Sequence, residues 1–201
     1  MVPKVLSFEQ KECRKELCLD LLQCIENEPD LLNLIITCDE TWIFTYDPET
    51  NRQSMEVNII SKTKKKHKSF EVQGHVVFFD IQGIVMAECV PSGQTVNQQY
   101  YTEVLKKFHE CVRRKRPELW RNGWILHQDN APSVKQFLTN KNITVLEHPP
   151  YSPDLAPCDF CLFPKINSVL KETHSASVEN VKAKTVEILN SLTEHDLYNC
   201  F

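Results

Sequence analysis

Two short segments in the second half of the chain constrain its fold more than any other part of the sequence. The first is residues 126–132 (LHQDNAP), in which the apolar run of residues 124–126 (WIL) leads to Asp129 and the strand stops at Pro132. In the second, residues 151–159 (YSPDLAPCD), closely spaced prolines surround Asp154 and precede Asp159. A strand that ends in an aspartate, beside a proline-fixed loop that presents another, is an arrangement that builds a carboxylate cluster.

A further pair of acids lies in a predicted strand over residues 34–44, where β-branched and aromatic residues surround Asp39 and Glu40. Successive side chains of a strand point to opposite faces of the sheet, so the two acids cannot both face one site. An acid in an apolar strand is costly to bury unless it is paired or bound to a metal. The alternative is that both acids lie at a strand end and reach solvent.

The rest of the pattern predicts a single α/β domain of ordinary size. Residues 45–70 show little periodicity and are predicted to form a long loop. Two late strands separated by a helix indicate a parallel βαβ unit appended to an antiparallel hairpin. The predicted elements are a helix over 8–27, the strand over 34–44, a hairpin over 76–90, a helix from 95 to the proline at 117, a strand over 123–129, a helix over 133–140, a strand over 143–146, and helices over 160–171 and from 177.

Positive charge is concentrated in two segments, although the formal net charge of the chain is −4. Either segment could contact DNA phosphates, and the first could also be a nuclear-import signal. The alternatives are a solvated loop for the first and, for the second, a helix end whose cations suit the helix dipole. The candidate nucleic-acid-binding residues are Lys62, Lys64, Lys65, Lys66 and Lys68 in the first segment, and Arg113, Arg114, Lys115 and Arg116 in the second.

The composition also bears on the compartment. No stretch approaches the ~18 to 20 continuous apolar residues of a membrane span, and the first residues lack the apolar core of a signal peptide. An intracellular protein is therefore expected, and its nine cysteines are expected to be thiols. The single CxxC of Cys158 and Cys161 has no second pair at zinc-finger spacing, so structural zinc is not predicted.

Several motifs together resemble the catalytic signatures of mariner-family transposases. They are residues 37–44 (TCDETWIF), 90–97 (VPSGQTVN), 116–118 (RPE), 127–132 (HQDNAP) and 151–160 (YSPDLAPCDF). The resemblance covers almost the entire chain, and a similar module occurs in a histone methyltransferase that fuses a SET domain to a mariner transposase. It implies a ribonuclease H-like fold, with a mixed five-stranded sheet flanked by helices.

The resemblance implies that Asp39, Asp129 and Asp159 are the catalytic residues and the metal ligands. The implied reaction is DNA strand cleavage and strand transfer in the nucleus, on transposon ends and target DNA, with a homodimer left open. Two Mg²⁺ or Mn²⁺ ions would stabilise the attacking and leaving oxygens. Neither Glu40 nor Asp154 is assigned to the metals, and Asp154 is predicted to cap a turn.

The resemblance also divides the chain into three parts. Residues 1–30 would be a leading helix, the remnant of a linker after a missing helix-turn-helix DNA-binding domain. Residues 31–172 would be the catalytic domain with its basic loop at 45–70, and residues 173–201 a truncated C-terminal helix. His127, beside the predicted site, is expected to be a core histidine rather than a catalytic base.

One spacing departs from the family. The residues numbered 130–158, 29 in all, separate Asp129 from Asp159, whereas the family motif has about 34. A loss of about five residues after Pro132 would rotate the following helix or pull its loop taut. The shortened spacing therefore predicts impaired catalysis, and the alternatives are a non-catalytic DNA-binding or dimerisation module and an inert remnant.

Overall fold

A computed structural model of the chain describes residues 6–44, 72–91, 93–128, 137–147, 152–172 and 178–201. Its strands form one mixed sheet in the order β3-β2-β1-β4-β5. β1 pairs antiparallel with β2 and parallel with β4, which in turn pairs parallel with β5. The predicted mixed five-stranded sheet is confirmed. The strands are β1 (Ile35–Phe44), β2 (Val72–Asp80), β3 (Gly83–Cys89), β4 (Ile125–Gln128) and β5 (Thr144–Glu147).

Helices lie on both faces of this sheet. They are α1 (Phe8–Asn27), α2 (Leu31–Leu34), α3 (Gln98–Lys115), α4 (Pro117–Asn122), α5 (Phe163–Glu172), α6 (Val178–Ser191) and α7 (Glu194–Tyr198). A 3₁₀ turn (Pro153–Leu155) and a π-helix (Cys158–Leu162) precede α5. Within the described ranges, no helix is both long and apolar enough to cross a membrane.

Neighbouring residues of β2 show how the sheet separates two cores. Val76 and Phe78 pack into a core with α3, where the ring of Phe78 stacks on Phe108 at a centroid distance of 4.0 Å. Val77 and Phe79 enter the opposite core, which the π-helix, α5, α6 and α7 cover. All four side chains are fully buried, because a central strand of a covered sheet is apolar on both faces. The site described below lies on the π-helix face.

Two helix starts on the α3 side differ from the sequence prediction. α3 begins at Gln98 rather than at Thr95, because the side chain of Asn97 caps it by accepting a hydrogen bond from the N–H of Tyr100 at 2.9 Å. Pro117 does not simply end α3; it is the first residue of α4, where a missing N–H costs nothing.

The turn between β2 and β3 is held by a buried ion pair. Asp80 Oδ1 accepts hydrogen bonds from the N–H groups of Gln82 and Gly83 at 2.9 and 3.0 Å. The guanidinium of Arg116 donates to both oxygens of the same carboxylate, at 2.6 Å from Nε and 3.0 Å from Nη2. The side chain of Asp80 is 1% exposed and that of Arg116 is 14% exposed. This pair joins the hairpin to the junction of α3 and α4.

One pair of cysteines is bonded, which corrects the prediction that all nine are thiols. Cys161 in the π-helix and Cys200 near the C-terminal end form a disulfide, with Cα atoms 5.6 Å apart. That separation lies within the range a disulfide can bridge. The other seven cysteines are free. The disulfide fastens the segment after α7 to the π-helix.

Replacement of Cys200 by serine is expected to lower the free energy of unfolding by about 2–4 kcal/mol, because the crosslink closes a long segment in the unfolded chain. The two cysteines are 39 positions apart. Urea unfolding of the oxidised protein measures the effect, with exposed Cys13→Ser as the control. Reductant should bring the wild type to the midpoint of Cys200→Ser, and equal midpoints without reductant would count against the crosslink.

His75 makes the stability of the fold depend on pH. The ring is 1% exposed on β2, and burial, reinforced by the charge of Lys182, lowers its pKa to about 4. Its Nδ1 lies 3.4 Å from Cys89 Sγ, while its buried Nε2 has no hydrogen-bond partner in the described part of the chain. The folded protein therefore holds a neutral imidazole.

The unfolded chain binds a proton at His75 more readily than the folded one, so stability falls as the pH drops below about 6.5. Between pH 7 and pH 5 the loss from this residue is expected to be about 2 kcal/mol. Urea unfolding at both values should show a smaller loss for His75→Gln than for the wild type. Exposed His195→Gln is the control and should keep the wild-type loss; the same loss in all three proteins would refute this assignment.

Candidate active site

Asp39 and Glu40 lie on opposite faces of β1. Asp39 lies on the same face of β1 as Thr37 and Ile43, and Ile43 belongs to the core beneath the π-helix. Glu40 lies on the other face, together with Cys38, which belongs to the core beneath α3. Asp39 Oδ1 accepts a hydrogen bond from the N–H of Glu40 at 2.7 Å, and its side chain is partly buried. The pleat therefore presents Asp39, and not Glu40, to the π-helix face.

Asp159 is exposed in the π-helix, which packs against β1. The neighbouring thiol of Cys158 is completely buried. Burial raises the pKa of this thiol well above its usual value, and the charges of Asp39 and Asp159 raise it further. Since both carboxylates act on the same thiol, the structure brings Asp39 and Asp159 to the same part of the sheet.

Asp129, the third predicted acid, lies outside the described residues. It follows Gln128, the last residue of β4, and β4 runs parallel to β1 with His127 opposite Thr37. In the described ranges, no group of three His, Cys, Asp or Glu side chains is placed to hold a metal ion. Asp39 and Asp159 are hard oxygen donors of the kind Mg²⁺ and Mn²⁺ prefer, so the described part of the site fits such an ion chemically.

Three polar residues lie on the opposite, α3 face of the same strands, next to the proposed ligands in the sequence, and were not predicted as part of the site. Tyr101 of α3 donates a hydrogen bond from Oη to Gln128 Oε1 at 3.2 Å, and Cys38 Sγ lies 3.5 Å from the same Oη. Cys38 Sγ also lies 3.8 Å from Gln128 Oε1. The one available signal was the position of Gln128, a polar residue in a buried strand immediately before a predicted catalytic acid.

His127 and Asp154 have structural partners. The ring of His127 is buried, with Nδ1 3.2 Å from Thr37 Oγ1, as expected of a core histidine. Asp154 was predicted to cap a turn, but Arg14 Nη2 of α1 donates to both of its carboxylate oxygens at 2.9 and 2.7 Å. This ion pair ties α1 to the proline loop that leads into the π-helix.

A cavity of about 390 Å³ separates α1 from the β4–β5 edge of the sheet. Its wall is mostly apolar and includes Leu17 and Leu21 of α1, Ile35, and His127. No residue of α1 is buried. The first helix therefore lies over the sheet without being closely packed against it.

The candidate DNA-binding residues fall into two groups. Lys62, Lys64, Lys65, Lys66 and Lys68 lie outside the described residues. Arg113, Arg114 and Lys115 are exposed in the last turn of α3, where Arg113 pairs with Glu110 at 2.8 Å. Arg116 is bonded to the buried Asp80, and a contact of this residue with DNA stays a prediction.

Known proteins resemble this chain over nearly its whole length. The family described as "Transposase (partial DDE domain)" matches residues 48–122. The Mos1 mariner transposase of Drosophila mauritiana is 33% identical over 189 residues, 90% of this chain and 54% of that protein. The histone-lysine N-methyltransferase SETMAR of Homo sapiens is 30% identical over 177 residues, 85% of this chain and 26% of that protein. The chain thus spans about half or less of these two relatives.

Solved structures of Mos1 share the fold. The crystal structure of the Mos1 catalytic domain superposes with a TM-score of 0.81 at 30% identity, covering 100% of this chain and 90% of that one. Mos1 has also been solved as paired-end complexes with Mn and with Mg, each with a TM-score of 0.82.

Proposed function

The chain belongs to the mariner family of transposases, and on that premise we propose that it carries the site for metal-dependent DNA cleavage and strand transfer. Its fold is the ribonuclease H-like fold of the Mos1 catalytic domain, as the sequence predicted. The observation that carries the proposal is the placement of Asp39 and Asp159 on one face of the sheet, where β1 meets the π-helix.

In this proposal Asp39, Asp129 and Asp159 hold two divalent ions, Mg²⁺ or Mn²⁺. The two Mos1 complexes solved with these metals support that choice. When bound, the ions would activate a water or a DNA 3′-hydroxyl and stabilise the leaving oxygen of an in-line displacement. The chain itself orients Asp39 through the hydrogen bond from the Glu40 N–H and carries Asp159 on a helix packed against β1.

DNA is the proposed partner, since Mos1 has been solved as a paired-end complex with the left transposon end. The exposed cations at the end of α3 would contribute phosphate contacts that do not depend on base sequence. Assembly as a homodimer, location in the nucleus and the division of the chain at residues 30 and 172 stay predictions.

The shortened spacing between Asp129 and Asp159 favours a second candidate, a transposase-derived module that binds DNA without cutting it. Catalysis is sensitive to displacements of about 1 Å, and the spacing predicts a loss of about five residues between two of the three proposed ligands. We expect the cleavage rate to be reduced by this departure rather than the fold to be lost.

Incubation with supercoiled plasmid separates the two candidates. The purified protein is expected to nick plasmid slowly in Mn²⁺, because carboxylate sites need a divalent ion to cleave phosphodiesters. Chelation by EDTA should abolish the nicking. Folded protein that never nicks but retards DNA in a low-salt gel would support the binding module instead, and nicking that persists in EDTA would rule out the proposed chemistry.

A further inference from the structure

We propose that Tyr101 is a positioning residue for this site, and that its hydroxyl ties together the two central strands just before the proposed metal ligands. The proposal rests on the proposed function for its catalytic consequence. The bond that carries it is present in the fold with or without activity. It concerns the α3 face of the sheet, opposite the π-helix.

The hydroxyl of Tyr101 contacts both strands at once. It donates to Gln128 Oε1 on β4 at 3.2 Å and lies 3.5 Å from Cys38 Sγ on β1. The side chains of Cys38 and Gln128 are buried, with 4% and 5% of their surface exposed. The two strands are parallel neighbours in the sheet. The hydroxyl therefore acts as a clasp between the last residue of β4 and the interior of β1, just past Thr37 and His127, the last residues paired between these two strands.

Each contact of Tyr101 is one residue away from a proposed ligand in the sequence. Cys38 immediately precedes Asp39, and Gln128 immediately precedes Asp129. Since side chains alternate across a strand, Cys38 faces α3 while Asp39 faces the π-helix. A shift of the backbone at Cys38 or Gln128 would move the attachment point of the next residue, and ligand geometry tolerates little error. Tyr101 would thus act through the strands and not on substrate.

Tyr101 remains a hydrogen-bond donor over the working pH range. Burial raises its pKa well above the usual value for tyrosine, and the charges of Glu40 and Asp39 and the hydrogen bond with Cys38 raise it further. The phenol consequently keeps its proton. Loss of this donor would leave the buried carbonyl oxygen of Gln128 without its Tyr101 partner, which makes opening of the strand end easier.

Tyr100 provides a matched control on the same helix. Its hydroxyl oxygen is buried but has no hydrogen-bond partner in the described part of the chain. Tyr101→Phe and Tyr100→Phe remove the same atom from adjacent residues, and only the first removes a hydrogen bond to β4. The comparison separates the loss of the clasp from the general effect of deleting a tyrosine hydroxyl from α3.

The first test is amide hydrogen exchange of the metal-free protein. Tyr101→Phe should speed exchange by about 5- to 10-fold in the peptides that contain Cys38 and Gln128, since it removes one net hydrogen bond where the pairing of β1 with β4 ends. The β2–β3 hairpin should exchange as in the wild type, and Tyr100→Phe should leave all of these peptides unchanged. Wild-type exchange rates in both of these peptides of Tyr101→Phe would overturn the proposal.

The second test measures the metal requirement. Tyr101→Phe should raise by about 10-fold the Mn²⁺ concentration that gives half-maximal nicking, the cost typical of losing an outer-shell partner, and excess Mn²⁺ should restore much of the rate. A purely structural role would lower the amount of active protein without shifting this concentration. An unshifted Mn²⁺ requirement would overturn the positioning role. If the wild type does not nick, the proposed function fails, while hydrogen exchange still decides the clasp.

Discussion

Asp39→Asn is expected to reduce metal-dependent plasmid nicking by at least about 100-fold. Loss of an outer-shell partner already costs 10- to 100-fold in metal sites, and an amide replaces a charged ligand here. The substitution changes neither the volume of the side chain nor its face of β1. The initial rate of nicking in Mn²⁺ measures the effect, with thermal stabilisation by Mn²⁺ as a second readout that does not require turnover.

Glu40→Gln is the matched control, because Glu40 is the next residue on the same strand but faces α3 rather than the π-helix. It should retain most of the nicking activity. Asp159→Asn should behave like Asp39→Asn. An equal loss of nicking activity in Asp39→Asn and Glu40→Gln would show that the face of β1 does not decide which acid is the ligand. Full activity of Asp39→Asn would show that Asp39 is not a ligand.

Arg116→Met should lower the free energy of unfolding by about 3–5 kcal/mol, the cost typical of breaking a buried ion pair by removing one partner. The variant leaves the carboxylate of Asp80 in a site where only 1% of its side chain is exposed. The hydrogen bonds from the turn N–H groups would still reach this carboxylate, but they carry no full positive charge. Urea unfolding at pH 7 measures the difference.

Arg113→Met, three residues earlier on α3, removes an exposed arginine that also forms an ion pair. Exposed pairs contribute about 0–1 kcal/mol, so this control should stay near the wild type. Adding Asp80→Asn to Arg116→Met should cost less than the sum of the two single changes, since the pair is coupled. Similar losses in Arg113→Met and Arg116→Met would argue against a special role for the Asp80 pair.

The sequence predicted the strands and the β2–β3 hairpin because that information is local, whereas the mixed five-stranded sheet was implied by the resemblance to the family. Alternating and continuous apolar runs mark strands. The start of α3 was predicted at Thr95 rather than after Asn97 because both residues can cap a helix, and only the structure shows that Asn97 accepts the hydrogen bond from the Tyr100 N–H. The prediction that only one of Asp39 and Glu40 faces the site followed from the pleat alone. Which of them does so depended on Ile43 packing beneath the π-helix, a tertiary contact.

Contacts between distant segments could not be predicted in this way. The disulfide of Cys161 and Cys200 depends on where α7 places the end of the chain, and nine cysteines allow many pairings. The bond from Tyr101 to Gln128 depends on the rotation of α3 about its axis. A tyrosine on an amphipathic helix is otherwise indistinguishable from ordinary packing.

Because α1 is weakly packed, it is expected to unfold locally before the sheet does. A helix with no buried residue, lying over a cavity of about 390 Å³, gains little from packing. In proteins most of the stability of a helix comes from tertiary packing rather than from the intrinsic propensity of its residues. The amides of α1 should therefore exchange through sub-global opening while β1 and β2 remain protected to the global limit. The Arg14–Asp154 ion pair would break when α1 unfolds. The proline loop before Asp159 would then become more mobile while the sheet remains folded.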